Sequence, residues 1–242
     1  MSEPADIHAD LELGARVETA RRAWEGSPSA SVWRKPLYRQ GGENGPVTSV
    51  VRYDAGGSFA PHSHPEGEEL LVLAGLFADD QGEYPAGTFL FNPDGSRHAP
   101  RSPQGCELLV RLRQSPGPER PRRVVTTSAV PLQAGASVGA KVREIWSERG
   151  YPQSTWLVSL APGFAADAPL DAGGLELFVL HGHVCDEIGE HGPGTWVRWP
   201  PRASHRPASN QGAELFLRYR LAPQPGRRRL VAVAPSALPQ SF

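Results

Sequence analysis

The sequence predicts an all-β chain built as two tandem copies of one small barrel or sandwich domain. Two observations predict it. Glycine (26) and proline (25) together make up about a fifth of the 242 residues, against about 12% in average proteins, and they punctuate short apolar runs instead of clustering in a tail. The second observation is a repeat. GEYPAGTFLFNPDGSRHAPRS, from residue 82, aligns with GEHGPGTWVRWPPRASHRPAS, from residue 189, at a constant offset of 107 positions.

The apolar runs VTSVVRY, EELLVLAGLF, GTFLFNP, CELLVRLR, STWLVSLAPG, LELFVLHGHV, GTWVRWP and AELFLRYRL hold four to eight core residues each and are rich in Val, Leu, Phe and Trp. Short strands joined by tight turns give this pattern. The stretch ADLELGARVETARRAW, residues 9–24, is the one candidate helix, interrupted by Gly14. The offset of 107 also pairs Gly56 with Gly163, Gly75 with Gly182, Gly87 with Gly194, Pro93 with Pro200, His98 with His205, and CELLVRLR at 106 with AELFLRYR at 213. One offset across so many landmarks marks a duplicated domain. The expected organisation is an N-terminal segment (1–24), a first domain (25–118), a second domain (119–234) and a tail (235–242). SPGPERPRR reads as the junction, and RPRRVVTTSAV, 120–130, as an edge strand that one copy lends to the other.

Composition excludes several classes. Lys+Arg 25 against Asp+Glu 26 gives a net charge of -1, so neither nucleic acid nor an anionic membrane is an expected partner. No apolar run approaches 18 residues, and the N-terminus lacks the basic-then-apolar pattern of a signal peptide. The two cysteines, Cys106 and Cys185, make no disulfide framework. A cytoplasmic location is expected by elimination, and a homodimer is compatible with the exposed edges of such sheets.

The chemistry concentrates in APHSHPEGEELLVLAG, residues 60–75, and PDGSRH, residues 93–98. His62 and His64, at i and i+2, point to the same side of a strand. Glu68 opens the next strand on the side of Leu70 and Val72; Glu69, its rival, belongs to the opposite side. His98 follows a Pro-Gly turn. Three imidazoles and a carboxylate suit one divalent ion of borderline hardness, Zn, Fe, Mn, Ni or Co. In the second copy the offset puts Pro169, Asp171 and Leu175 at the positions of His62, His64 and Glu68, and His205 alone remains, so metal binding is expected in the first copy only. His181 and His183 form another His-x-His, out of register with the ligand set. Phe59, Phe77, Phe89, Phe91 and Arg111 are candidate pocket residues. Cys106 reads as a small buried hydrophobe in preference to a redox partner of the metal.

The spacing Gly56, His62, His64, Glu68, Gly75, followed by Gly87, Pro93, Gly95, His98, resembles the two motifs of the cupin family, with Ser102 where that family has Asn. The whole chain resembles a bicupin, two double-stranded β-helix barrels. Residues 62–100 are similar in nearly every position to the cupin domain of the ChrR-type anti-sigma factors, which implies zinc on His62, His64, Glu68 and His98. Those regulators carry an N-terminal helical domain that grips a sigma factor; the first 45 residues here contain one histidine, His8, and no cysteine, so no sigma-factor partner is expected. Other cupins with this ligand set include dioxygenases, which implies a zinc or iron site, or Ni or Mn, that acts on a small oxygenated molecule such as a diketone or aromatic diol. The alternative the resemblance implies is a regulatory or sensory zinc protein without activity. No catalytic residue beyond the ligand set is assigned.

Overall fold

The computed structural model describes residues 4–117, 120–220 and 229–231. The chain divides into two compact units between Val130 and Pro131. The boundary expected at 118 and the tail at 235–242 lie outside the described residues.

The first unit opens with strand β1 (Ala15–Glu18), followed by a single 3-10 turn, Thr19–Arg21. The segment read as a candidate helix therefore holds a short strand and a 3-10 turn in place of an α-helix. Along Ala15-Arg-Val17-Glu the residues alternate between buried and exposed, a period of two that outweighs the helical reading, and Gly14 stands just before it. Then come β2 (Glu25–Gly26), β3 (Val32–Arg39), β4 (Val47–Tyr53), β5 (Gly57–Ser58), β6 (His62–His64), β7 (Glu68–Ala78) and β8 (Glu83–Pro85). β9 (Thr88–Asn92), β10 (Ser96–His98), β11 (Arg101–Ser102), β12 (Cys106–Leu112) and β13 (Arg123–Thr126) complete it.

The main sheet runs β13-β9-β7-β12-β4-β3-β2, and β6 and β10 form a separate antiparallel pair. This is the all-β barrel expected. β13, the expected edge strand from the junction, pairs with β9 from Arg123↔Phe91 to Thr126↔Thr88. The junction thus closes the edge of the first barrel, a common way of covering unpaired strand groups.

Alternation along these strands fills the barrel. Val32, Val51, Tyr53, Leu70, Val72, Phe77, Leu90, Leu108 and Val110 form one buried cluster. Cys106 belongs to the same cluster, and burial raises its thiol pKa, so it behaves as a small hydrophobe. Removing such apolar side chains from water stabilises by about 1.5–3 kcal/mol each.

The second unit repeats the plan with β14 (Gln133–Ala134), β15 (Ala140–Ser147), β16 (Ser154–Leu160), β17 (Phe164–Ala165), β18 (Leu170–Asp171) and β19 (Leu175–Gly182). It ends with β20 (Val184–Asp186), β21 (Gly189–His191), β22 (Thr195–Arg198), β23 (Ser204–His205), β24 (Ala208–Ser209) and β25 (Ala213–Tyr219). Its sheet order β22-β19-β25-β16-β15-β14 matches β9-β7-β12-β4-β3-β2 strand for strand. Its core, with Trp156, Val158, Leu177, Val197, Trp199, Leu217 and Tyr219, also takes in Leu230 and Val231.

Candidate metal centre

The β6–β10 pair sets the site. His98 lies directly across from His62, and Ser96 across from His64. Side chains at i and i+2 share a face, so all three imidazoles converge. Their ring centroids lie 4.7 Å (His62–His64), 5.5 Å (His62–His98) and 4.7 Å (His64–His98) apart. One ligand atom from each falls within 4.8 Å of the others. Glu68, at the start of β7, brings Oε2 to 3.6 Å from His64 Nε2 and 3.7 Å from His98 Nε2. Glu69 faces the other way. It is buried there, 3.9 Å from Arg111 and accepting a hydrogen bond from the Ser115 hydroxyl.

Tautomers are set by the neighbours. His62 Nδ1 lies 2.9 Å from the Ala60 carbonyl, and His98 Nδ1 lies 3.2 Å from Asp79 Oδ2. With the proton on Nδ1 in both rings, each Nε2 presents a lone pair to the centre. His98 Nε2 and His64 Nε2 stand 2.9 Å apart. Two facing lone pairs at that distance repel unless a cation or proton joins them. Nitrogen ligands about 2.0–2.1 Å from a divalent ion are themselves about 3 Å apart, so the four donors have the chemistry and the closeness that such an ion requires. Burial holds the His64 pKa down, which favours the neutral, ligating form. At His98 burial also opposes charge, but the Asp79 hydrogen bond and the Glu68 and Asp79 charges outweigh it and raise the pKa.

Behind the four stands a network that the sequence patterns did not disclose. Arg122 donates from Nη2 to Asp79 Oδ2 and to the Tyr84 hydroxyl, both at 2.9 Å, and from Nε to Asn92 Oδ1 at 2.9 Å. Asn92 Nδ2 donates to Glu68 Oε2 at 2.8 Å, as its place directly across from Glu68 in the β7–β9 ladder allows. Tyr84 donates to Asp79 Oδ1 at 2.9 Å. One guanidinium thus steadies His98 through Asp79 and Glu68 through Asn92. Burial pushes the Asp79 pKa up, but its hydrogen bonds with His98, the Gln81 amide and Tyr84, with the Arg122 charge, bring it down to about 2. The one available signal was the repeat, since Asp79 and Arg122 recur 107 residues later as Asp186 and Arg229.

The imidazoles and Glu68 line a cavity of about 690 Å³. Its apolar wall includes Val51, Phe59, Leu70, Phe77, Leu108 and Val110, and its polar lining Tyr53, Arg34, Arg39 and Arg113. Phe59 and Phe77 are where the sequence put them. Phe89, Phe91 and Arg111 are not part of this lining. In β9, Leu90 takes the inward position, which turns Phe89 and Phe91 to the opposite face; Arg111 sits across from Glu69 on that face too.

The equivalent place in the second unit is built differently. Asp171, at the position of His64, accepts hydrogen bonds from Arg229 Nε at 3.2 Å and the Gly173 amide at 2.9 Å. Leu175 replaces Glu68 and is fully buried. His205 Nδ1 lies 3.4 Å from Asp186 Oδ2, and His191 Nε2 lies 3.1 Å from Asp186 Oδ1. His191 stands where the first unit has Tyr84. His181 is 80% exposed, 3.9 Å from Glu214.

The model of the ChrR Cupin-like domain matches residues 13–116 and again residues 120–222. The chain belongs to this family. It is a bicupin, two cupin copies in tandem. Among solved structures it is similar to a "putative dioxygenase" from Nostoc punctiforme PCC 73102, with 16% identity, a TM-score of 0.74, and coverage of 93% of this chain and 88% of that one. It is also similar to the bacterial pirin YhhW in complex with nickel(II) from Escherichia coli, with 14% identity, a TM-score of 0.64, and coverage of 87% and 100%. The oxalate decarboxylase of Bacillus subtilis matches with 11% identity, a TM-score of 0.60, and coverage of 88% and 77%. At such identities these likenesses establish the fold. No protein of curated function matches the bicupin in sequence. Among the described residues no helix is long and apolar enough to cross a membrane.

Proposed function

We propose that this bicupin binds one divalent metal ion in its first barrel, through His62, His64, Glu68 and His98, and uses it as a dioxygenase of a small oxygenated molecule. The observation that carries the reading is the position of the donor set, which lines a 690 Å³ cavity with a largely apolar wall. A metal buried for structural purposes alone needs no such space beside it, whereas a small molecule that reaches the metal does. Iron or nickel bound here would supply redox chemistry with O2, and zinc would polarise a carbonyl or water. The protein's own part is to orient the ligands through Asp79 and Asn92, and to hold the substrate against the cavity's largely apolar wall. Diketones and aromatic diols fit its size and mixed lining. Membership of the ChrR-like family favours a second reading, a metal-held sensor of the same small molecule without turnover.

The test is metal analysis after anaerobic purification, then O2 consumption with β-diketones, quinols and catechols. About one equivalent of metal per chain is expected, lost in His64→Ala and His98→Ala and retained in His205→Ala. O2 consumption that disappears in Glu68→Ala, with an unchanged circular dichroism spectrum, supports the enzyme. Bound zinc, with no turnover after reconstitution with Fe(II), assigns the site to the sensor. A protein that takes up no metal refutes both.

A further inference from the structure

The cavity beside the metal ligands carries more positive charge than the ligand set needs. Among the described residues, its charged lining apart from the histidines is Glu68 and three arginines, Arg34, Arg39 and Arg113. Arg39 is engaged elsewhere: it lies 3.7 Å from Glu25 and donates to the Ala5 carbonyl at 3.5 Å. Arg113 is not so engaged. It follows directly on Leu112 at the end of β12, and its side chain makes no hydrogen bond or ion pair among the described residues. Its backbone is fixed, with φ at 58°, an uncommon conformation for a residue with a side chain, and an amide that donates to the Gly67 carbonyl at 3.0 Å. Its charge is felt at His64, whose protonated form it disfavours. Arg34 shares the inward face of β3 with Val32, across the ladder from Val51. Its guanidinium lies 5.9 Å from the Phe59 ring centroid.

With a divalent ion in place, one carboxylate leaves the centre with an excess of positive charge, and the arginines add to it. A cavity walled by Val51, Leu70, Leu108 and Val110 screens that charge poorly. The ligand that best balances it is an anion with an apolar body. A guanidinium matches a carboxylate with two parallel hydrogen bonds, which a neutral carbonyl cannot reproduce.

We infer that the cavity takes a small organic carboxylate with an apolar body, such as a branched 2-oxo acid, and that Arg113 binds its carboxylate while the oxygen next to it faces the metal ligands. This rests on the metal reading above and narrows its substrate class. It makes Arg113 the residue that selects acids over neutral diketones and diols.

The test is calorimetric titration of the Ni(II)-loaded protein with 4-methyl-2-oxopentanoate and with its methyl ester. The acid should bind at least tenfold more tightly than the ester. In Arg113→Gln that preference should fall to about twofold, with nickel stoichiometry unchanged, and Arg113→Lys should restore part of it. Equal binding of acid and ester by the wild-type protein, binding of neither, or an acid preference that survives in Arg113→Gln, would overturn the inference. If the wild-type protein takes up no nickel, the metal reading fails. The metal-free protein then decides Arg113 separately: an acid preference lost in Arg113→Gln upholds the carboxylate site, and its absence refutes it.

Discussion

At the scale of single residues, Arg122 carries the most consequence for its distance from the proposed metal ligands. It touches none of the four, yet its hydrogen bonds reach Asp79, Tyr84 and Asn92, and through them His98 and Glu68. Partners of this kind orient ligands and change metal affinity by about 10–100-fold when lost. Arg122→Ala should therefore weaken metal binding by that factor in competition with a chromophoric chelator, and Arg122→Lys should recover little, because an ammonium cannot serve three acceptors held in a planar fork. Affinity unchanged in Arg122→Ala would remove it from the site. In the second unit Asp186 stands where the first has Asp79. Burial raises its pKa, but the hydrogen bonds with His191 and His205 and the Ile188 amide bring it well below the usual carboxylate range. A carboxyl with a depressed folded-state pKa adds stability above its unfolded value, about 3.9, and loses that contribution as pH falls from there toward the folded value. Urea midpoints of the wild type and Asp186→Asn should differ most near pH 6–7 and converge below about pH 4. A gap independent of pH would mean that the Asp186 charge is not what stabilises.

At the scale of elements, glycine explains why the repeat kept its register while its ligands diverged. Gly75 has φ at +74°, and a Cβ there would stand 2.1 Å from the Gly105 carbonyl oxygen; Gly182 has φ at +68° with the same 2.1 Å from the Gly212 carbonyl. Both stand two residues beyond the extra residue of a ladder irregularity, Leu73 in one barrel and Leu180 in the other. Gly75→Ala or Gly182→Ala combines a disfavoured backbone with a backbone clash, and each should cost about 2–4 kcal/mol, read as a lowered denaturation midpoint. A loss below about 0.5 kcal/mol would show that the bulge relaxes freely. These glycines, the Pro-Gly turns and the strand alternation were open to reading because they are local: period two and positive φ leave a mark in the sequence. The same parity placed Glu68 beside Leu70 and turned Glu69 away. Residues 9–24 misled because Ala15 and Val17 alternate over only four positions, too few to outweigh helix formers around them. Phe89, Phe91 and Arg111 misled because their strands are buried on both faces, so apolar character does not reveal which face lines the cavity. Arg122 lay in a stretch read as a junction, since nothing local ties an arginine after a proline to an aspartate 43 residues earlier.

At the scale of the whole chain, two units share one fold and differ in what stabilises the region around the ligand positions. In the first, three imidazoles and a carboxylate crowd together, an arrangement that gains stability when a cation enters. In the second, Arg229 meets Asp171 and Asp186 meets two histidines, so protein groups already partner one another. Metal that binds the folded state and not the unfolded one stabilises by about 2.7 kcal/mol at a hundredfold excess over its dissociation constant. If the first barrel holds the proposed ion, its removal with EDTA should therefore act on one unit. Amide hydrogen exchange should show protection falling in Val47–Tyr53, Glu68–Ala78 and Cys106–Leu112, and staying constant in Ser154–Leu160, Leu175–Gly182 and Ala213–Tyr219. The two sets are equivalent strands of the same fold, so each serves as the control for the other. Equal loss in both would place a metal in the second barrel as well or make the barrels one cooperative unit, and His205→Ala would separate these: it abolishes the second set's response only if His205 is a ligand.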